Sequence, residues 1–416
     1  MNNKYLYAIF ALYTACEIYN YYRHRKMVNN INNYKTPAIS INETKQKHIR
    51  ETVMSNIIDH DKDSKKFIEH LFYNKINFES IPRNMLHTAL GSMLFLKDKY
   101  NYQESLEIEG YINQLELKHN TYLKYDSNKT IKYMIFGKTP IYTWYKPIMM
   151  ISLMYATRKI FNIYLKKLGF VQYKFENGFV VWVRTPKIIK RNPLIVFHCS
   201  IGGCMPYYKF IKEIMNDRIL LLPELPGISW ENFVYKPPLL NEVAENLNEI
   251  VSSLNITNYD LLCHSFGSLL CMKYFYKYHK QIKKIICVES GVIINHIFGM
   301  YTEFYEIMNM TNGKSKDFLD YACAPITHRD PYIQFYFHRD LSVTDTVLLG
   351  REEENNTEIH LVLSENDDKI PAEYYCHYVK SKKLPYNIKI FDKRTHGAFA
   401  YDTEFQQYVI EIANKN

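Results

Sequence analysis

The chain has 416 residues, 47% of them hydrophobic and 15% aromatic, with 37 tyrosines and a formal net charge of +9. This composition excludes a disordered or low-complexity chain, and the length accommodates one large core of about 200 to 250 residues with additional modules. The eight cysteines (Cys16, Cys199, Cys204, Cys263, Cys271, Cys287, Cys323 and Cys376) form no Cys-x-x-Cys pair and no repeated ligand spacing. They read as reduced core thiols in a body facing the cytosol, and not as a zinc or redox site.

Tyr5 to Tyr22 is mostly apolar and aromatic and is followed by Arg23-His24-Arg25-Lys26. A run of about 18 such residues is near the minimum for a spanning helix, and the basic cluster would hold its carboxyl side in the cytoplasm. Residues 1–26 are therefore expected to be a membrane anchor, and the protein to be membrane-associated with its body on the cytoplasmic side. Glu17 interrupts the run, which keeps an interfacial amphipathic helix and a soluble helix packed on the body as competing readings.

Residues 27–168 read as a helical amino-terminal region. Asn29 to Asn33 and Asp59 to Lys66 are hydrophilic enough for loops, whereas Met85 to Leu96 and Ser105 to Leu117 carry the apolar spacing of helices. Between Ile131 and Asn192 there are twelve lysines or arginines against the single acid Glu176, so the basic excess of the whole chain lies here. Within it, Pro147 to Ala156 is apolar but too short to span a bilayer. Two readings stay open for this segment: adsorption to an anionic membrane surface, or a core helix with a solvated basic rim. Positive charge alone does not identify a reader of bases, so nucleic acid is not an expected partner.

From Gly169 to the carboxyl terminus, strand-like and helix-like runs alternate. Phe170 to Phe175 and Phe179 to Arg184 flank Glu176-Asn177-Gly178, a hairpin signal. Leu194 to His198 and Ile219 to Leu222 are short apolar strands, and Val243, Leu247, Ile250, Val251 and Leu254 make one helical stripe. Ile285 to Val288, Ile359 to Leu363 and Asn387 to Phe391 complete the set. The alternation predicts a doubly wound, mostly parallel sheet in an α/β domain over 169–416. Between them, Tyr259 to His264 ends abruptly at Ser265, and a helix-forming segment follows at once. This is the sequence form of a nucleophile elbow, in which a serine on a strained strand-to-helix turn projects its hydroxyl clear of the sheet. Gly267 fits the position two after the serine; Cys263 stands where the Gly-x-Ser-x-Gly pattern has its first glycine.

From about Phe170 onward the chain resembles the α/β-hydrolase family. The resemblance rests on Cys263-His264-Ser265-Phe266-Gly267, on the loop His198-Cys199-Ser200-Ile201-Gly202-Gly203, and on two later segments, Ser364 to Pro371 and Thr395 to Phe399. It implies a triad in the order serine, acid, histidine, each at the carboxyl end of a strand. Ser265 would be the nucleophile, His396 the base and Asp367 the acid, with Asp368 and Glu289 as competing acids. Backbone N–H groups of Phe266 and of Ser200, or alternatively Ile201, would hold the oxyanion. His264 and His198 read as packing residues.

The insertion at about 291–350 occupies the place of the family's cap and is rich in aromatic residues and methionine: Phe298, Tyr301, Phe304, Tyr305, Met308, Met310, Phe318, Tyr321, Tyr332, Phe335, Tyr336 and Phe337. Such a cover suits an apolar acyl chain, although ordinary cap packing has the same composition. The resemblance thus implies a serine hydrolase acting on carboxylic esters, with lipid esters suggested by the apolar and basic segments. Acyl transfer through the same triad and a catalytically silent lipid- or partner-binding role are the alternatives. With no nucleotide-binding glycine loop and no metal-ligand cluster, no cofactor or metal is expected.

Overall fold

The computed structural model describes residues 3–34, 43–59, 64–72, 76–97, 99–128, 131–133, 137–138, 140–141, 143–291, 326, 329–340, 356–367 and 369–415. Its amino-terminal part is helical: α1 (Asn3–Asn32), α2 (Glu43–Asp59), α3 (Ser64–His70), α4 (Arg83–Phe95), α5 (Tyr102–His119) and α6 (Ile148–Lys167). The polar stretch 29–33 expected as a loop continues α1 to Asn32, where Met27 and Ile31 are buried and hold the helix end to the body. A capping box starts α5: the Asn101 side chain accepts from the Glu104 N–H at 2.9 Å and the Glu104 carboxylate accepts from the Asn101 N–H at 3.0 Å.

The membrane-anchor expectation for residues 1–26, and the membrane-associated location built on it, are corrected here. Among the described residues no helix is long and apolar enough to cross a membrane. The physical reason lies in the polar groups along α1. Glu17 Oε2 accepts the Ile148 N–H at 2.9 Å, and Asn20 donates to the Tyr145 hydroxyl and the Lys146 carbonyl, both at 3.0 Å. The apolar run 147–156 becomes the first half of α6, which buries Met154, Arg158, Phe161, Asn162 and Leu165. The basic rim expected around it is not entirely solvated, for Arg158 and Lys146 are buried, the latter paired with Asp330.

Eight strands form one sheet: β1 (Val171–Lys174), β2 (Val180–Arg184), β3 (Leu194–Phe197), β4 (Leu220–Glu224), β5 (Tyr259–His264), β6 (Ile282–Val288), β7 (Glu358–Ser364) and β8 (Asn387–Phe391). Their spatial order is β1-β2-β4-β3-β5-β6-β7-β8; β2 is antiparallel to both neighbours, and every pairing from β4 to β8 is parallel. The hairpin between β1 and β2 turns at Gly178 with φ +86°, a conformation that a residue with a Cβ adopts only at a cost. The helices α7 (Tyr208–Ile214), α8 (Leu240–Ser253), α9 (Ser268–Tyr278), α10 (Pro331–Phe335), α11 (Ala372–Ser381) and α12 (Thr403–Asn414) complete the fold.

The sheet's alternation divides the core. Val180, Trp182, Leu194 and Val196 point into a cluster with Phe161 and Leu165 of α6, Phe210 and Ile214 of α7, and Phe405 and Val409 of α12. Val181, Val183, Ile195 and Phe197 point the other way, into a cluster with the α8 stripe, α9 and α11 that continues into α4 and α5. Successive side chains of a strand face opposite sides, so helices on both faces require strands that are apolar throughout, as β2 to β6 largely are. Burying one such aliphatic side chain stabilises by about 1.5–3 kcal/mol. The sheet is doubly wound, and its parallel strands direct their carboxyl ends to one edge.

Of the stretch expected as a cap, residues 291, 326 and 329–340 are described, and Phe298 to Tyr321 lie outside the described residues. Asp330 opens α10 by accepting from the Tyr332 N–H at 2.7 Å, and the chain continues through a wider turn, Tyr336 to Asp340. Phe337 and Tyr336 lie edge-on to Phe266, with ring centroids 5.4 and 6.1 Å away.

Candidate active site

β5 is buried along its whole length at the centre of the sheet and ends at His264. Ser265 follows with φ +49°, in the left-handed region, and the chain turns through Ser265–Gly267 directly into α9. Holding a serine there costs about 1–3 kcal/mol and persists only where the surroundings dictate it. Gly267 supplies part of that dictation. A Cβ at this position would lie 2.5 Å from both the Phe197 and His198 carbonyl oxygens, so only glycine lets the turn approach β3 this closely. The same contact sets the elbow against the stem of the loop that carries Ser200. Cys263, in the place of the pattern's first glycine, is fully buried with its Sγ 3.5 Å from Ser290 Oγ.

The structure brings Ser265, His396 and Asp367 into one line. Ser265 Oγ lies 2.8 Å from His396 Nε2, and His396 Nδ1 lies 2.8 Å from Asp367 Oδ2. His396 is delivered by the loop after β8 and Asp367 by the loop after β7. The Asp367 side chain is inaccessible to solvent, and its Oδ1 accepts the N–H groups of Lys369 and Ile370 at 2.8 and 2.9 Å. These bonds orient the carboxylate, leaving Oδ2 for the imidazole. Of the competing acids, Asp368 lies outside the described residues. Glu289 makes its bonds elsewhere, to His264 Nε2 at 2.7 Å and to the N–H groups of Gly397 and Ala398 at 3.0 and 3.1 Å.

Phe266 opens the turn into α9, so its N–H is one of the helix-start donors without a partner inside the helix. Ser200 lies in the loop after β3, half-buried, beside the more exposed Ile201. The preceding N–H, that of Cys199, is taken by the Tyr207 hydroxyl at 3.1 Å. His198 anchors the stem of this loop. Burial holds its imidazole below its ordinary value, in keeping with a neutral ring whose Nδ1 donates to the Cys199 carbonyl at 2.6 Å while Nε2 accepts the Leu225 N–H at 3.2 Å. The loop then turns through Gly202 and Gly203 with φ +68° and +65°.

Beneath this loop lies a buried ionic cluster that has no sequence motif. Arg158 of α6 donates from Nη1 to Glu224 at 2.9 Å and from Nε to Glu231 at 2.9 Å, all three side chains being essentially inaccessible. Glu224 in turn accepts the Cys204 N–H at 3.2 Å, and a Cβ on Gly203 would fall 2.0 Å from its Oε2. Burial alone would raise the Glu231 carboxyl, but Arg158 beside it holds it below the ordinary range. Sequence reading missed this set because Arg158 sits in a run of cations. The only available signal was the isolated acids at the end of β4 and in the following loop.

A mostly parallel eight-stranded sheet wound on both faces, with a strand–turn–helix elbow after β5 and loops carrying an acid and a histidine after β7 and β8, is the α/β-hydrolase fold. No family model matches the chain, and no curated protein matches it. Among solved structures, it is similar to an esterase from Exiguobacterium antarcticum at 12% identity, covering 59% of this chain and 99% of that one with a TM-score of 0.43. An α/β hydrolase from a Medee basin deep-sea metagenome library is similar at 13% identity over 59% and 98% of the two chains, TM-score 0.45. An α/β-hydrolase fold protein from Chitinophaga pinensis is similar at 17% identity over the same shares, TM-score 0.43.

Proposed function

We propose that the protein is a serine hydrolase that cleaves carboxylic esters with an apolar acyl group, lipid esters among them, through an acyl-enzyme on Ser265. The observation that carries this reading is the line Ser265–His396–Asp367, two contacts of 2.8 Å on a serine held at φ +49°. In the resting site Ser265 Oγ–H donates to His396 Nε2, and His396 Nδ1–H donates to Asp367. As Oγ bonds to the ester carbon, its proton passes to Nε2 and the carbonyl electron pair moves onto oxygen, where the Phe266 and Ser200 N–H groups stabilise it. Collapse reforms the carbonyl and breaks the bond to the leaving alkoxide, which takes the proton from Nε2. Water then attacks the acyl-enzyme by the same sequence and releases the acid. Asp367 holds the imidazole tautomer and stabilises the imidazolium formed in each half.

The apolar preference is supported by Phe266, Tyr336 and Phe337, which pack together where the described part of residues 329–340 meets the elbow. A fluorophosphonate probe tests the nucleophile: the wild type takes up label and Ser265→Ala does not. Equal labelling of the two overturns the reading and leaves a binding role. A panel of p-nitrophenyl esters of increasing acyl length tests the substrate class, with kcat/KM rising with chain length. Product analysis with an added alcohol separates hydrolysis from acyl transfer.

A further inference from the structure

Behind the reactive face runs a line of buried side chains that the chemistry above does not touch. Glu289 follows β6, is fully buried and has φ +44°. Its Oε2 accepts from His264 Nε2 at 2.7 Å and from the Gly397 N–H at 3.0 Å. Its Oε1 accepts from Ser364 Oγ at 2.5 Å and from the Ala398 N–H at 3.1 Å. His264 is buried too, and its Nδ1 lies 2.5 Å from the hydroxyl of Tyr207, itself inaccessible, which accepts the Cys199 N–H at 3.1 Å. Read from one end, the line starts at the residues just after His396 and passes through Glu289 to His264, which immediately precedes Ser265. It then continues through Tyr207 to Cys199, which immediately precedes Ser200.

We infer that Glu289, His264 and Tyr207 are positioning residues, a buried hydrogen-bonded tie that keeps Ser265, His396 and the Ser200 N–H in register. The chemistry of the three suits the task. A carboxylate only accepts, so an ionised Glu289 satisfies all four of its donors at once, and two of these are backbone groups of the histidine loop. Burial alone would raise the Glu289 carboxyl, but the bond from His264 holds it below the ordinary range. Burial alone would lower His264; its interactions with Cys199 and Glu289 reverse this and lift it to about 10, and the ring bridges the Glu289 carboxylate at Nε2 and the Tyr207 hydroxyl at Nδ1. All three side chains are buried and bonded to one another, and the tie leaves the triad's own hydrogen bonds undisturbed.

This inference rests on Ser265 being the nucleophile, and the test keeps the two apart. Tyr207→Phe removes one oxygen while retaining the ring that packs on His264 and Phe399, so it is the deciding variant; Glu289→Gln, which sets an amide donor against backbone donors, is the harsher one. The full-length proteins are compared in kcat and KM on one p-nitrophenyl ester, in rate of fluorophosphonate labelling, and in the histidine 1H–15N NMR spectrum. With misplacement of about 1 Å costing about 100-fold in rate, Glu289→Gln is expected to lose about 100-fold in kcat and Tyr207→Phe about 10-fold, with KM unchanged. Labelling should slow in proportion, and the hydrogen-bonded ring nitrogens of His264 should give a signal in the wild type that shifts in Tyr207→Phe. A labelled wild type with Tyr207→Phe at wild-type kcat overturns the tie alone, as does a fall in melting temperature with unchanged labelling. A wild type that labels no faster than Ser265→Ala overturns the nucleophile and the positioning role together, while the NMR signal still reports whether the bonds exist.

Discussion

Two of the ion-pair sets described at the carboxyl edge of the sheet differ in what they face. Asp367 and His396 end on a hydroxyl at the mouth of the elbow, whereas Arg158, Glu224 and Glu231 close on one another under the loop carrying Ser200. The first set joins loops of the sheet domain; the second joins α6 to the end of β4. Burial and pairing alone therefore do not tell the two sets apart. What distinguishes the two is that one line of bonds terminates on a nucleophile-type atom, and the other terminates on protein.

The largest separation between them is expected in rate. Asp367→Asn retains shape but favours the wrong imidazole tautomer, and should lower kcat by about 10,000-fold with little change in melting temperature. Arg158→Met should do the reverse in emphasis. It leaves Glu224 and Glu231 buried without their cation, a loss of about 3–5 kcal/mol that a denaturant titration reads directly. If Arg158→Met proved as stable as the wild type, the cluster would not be a structural support and the contrast would collapse.

pH sharpens the comparison at an intermediate scale. Burial, and then Arg339, holds His338 down to about 3; burial, then Lys146 and Arg25, holds His24 down to about 4. Both fold as neutral rings, so the unfolded chain binds more protons below its own value near 6.5, and stability falls as pH drops from there towards 4 and 3. His264, lifted to about 10, acts in the opposite sense, its contribution being complete below 6.5 and lost as pH rises towards 10. The melting temperature should therefore peak near pH 6.5. The smallest effect is expected far from both ionic sets. Asn101→Ala removes half of the capping box of α5 and should cost about 1 kcal/mol with kcat/KM unchanged.

The sheet domain was legible because two constraints act on the sequence at once. Strands buried on both faces must be apolar throughout, and a strand-to-helix turn at Ser265 demands a glycine two residues later. Even so, strand ends moved: β6 begins at Ile282, where the apolar pattern is interrupted by Lys283 and Lys284 and the strand read only from Ile285. The amino-terminal region was less legible. Tyrosine contributes apolar area while carrying a hydroxyl, so α1 resembles a spanning segment in outline without having the hydropathy of one. Arg158 and Lys146 look like solvated charge in the sequence because their partners, Glu224, Glu231 and Asp330, lie 66, 73 and 184 residues away. Glu289 read as a competing acid and His264 as a packing residue, because their pairing is a fact of the adjacent ends of β5 and β6 that no linear pattern records.

The contact between Glu17 and the Ile148 N–H links residues 131 apart in sequence. Through it the first helix serves as an anion at the start of α6, the helix whose Arg158 seats the loop of Ser200. Shortening the chain is accordingly not a neutral act: cleavage beyond Glu17 removes a counter-charge from the positive end of α6, the helix that carries Arg158.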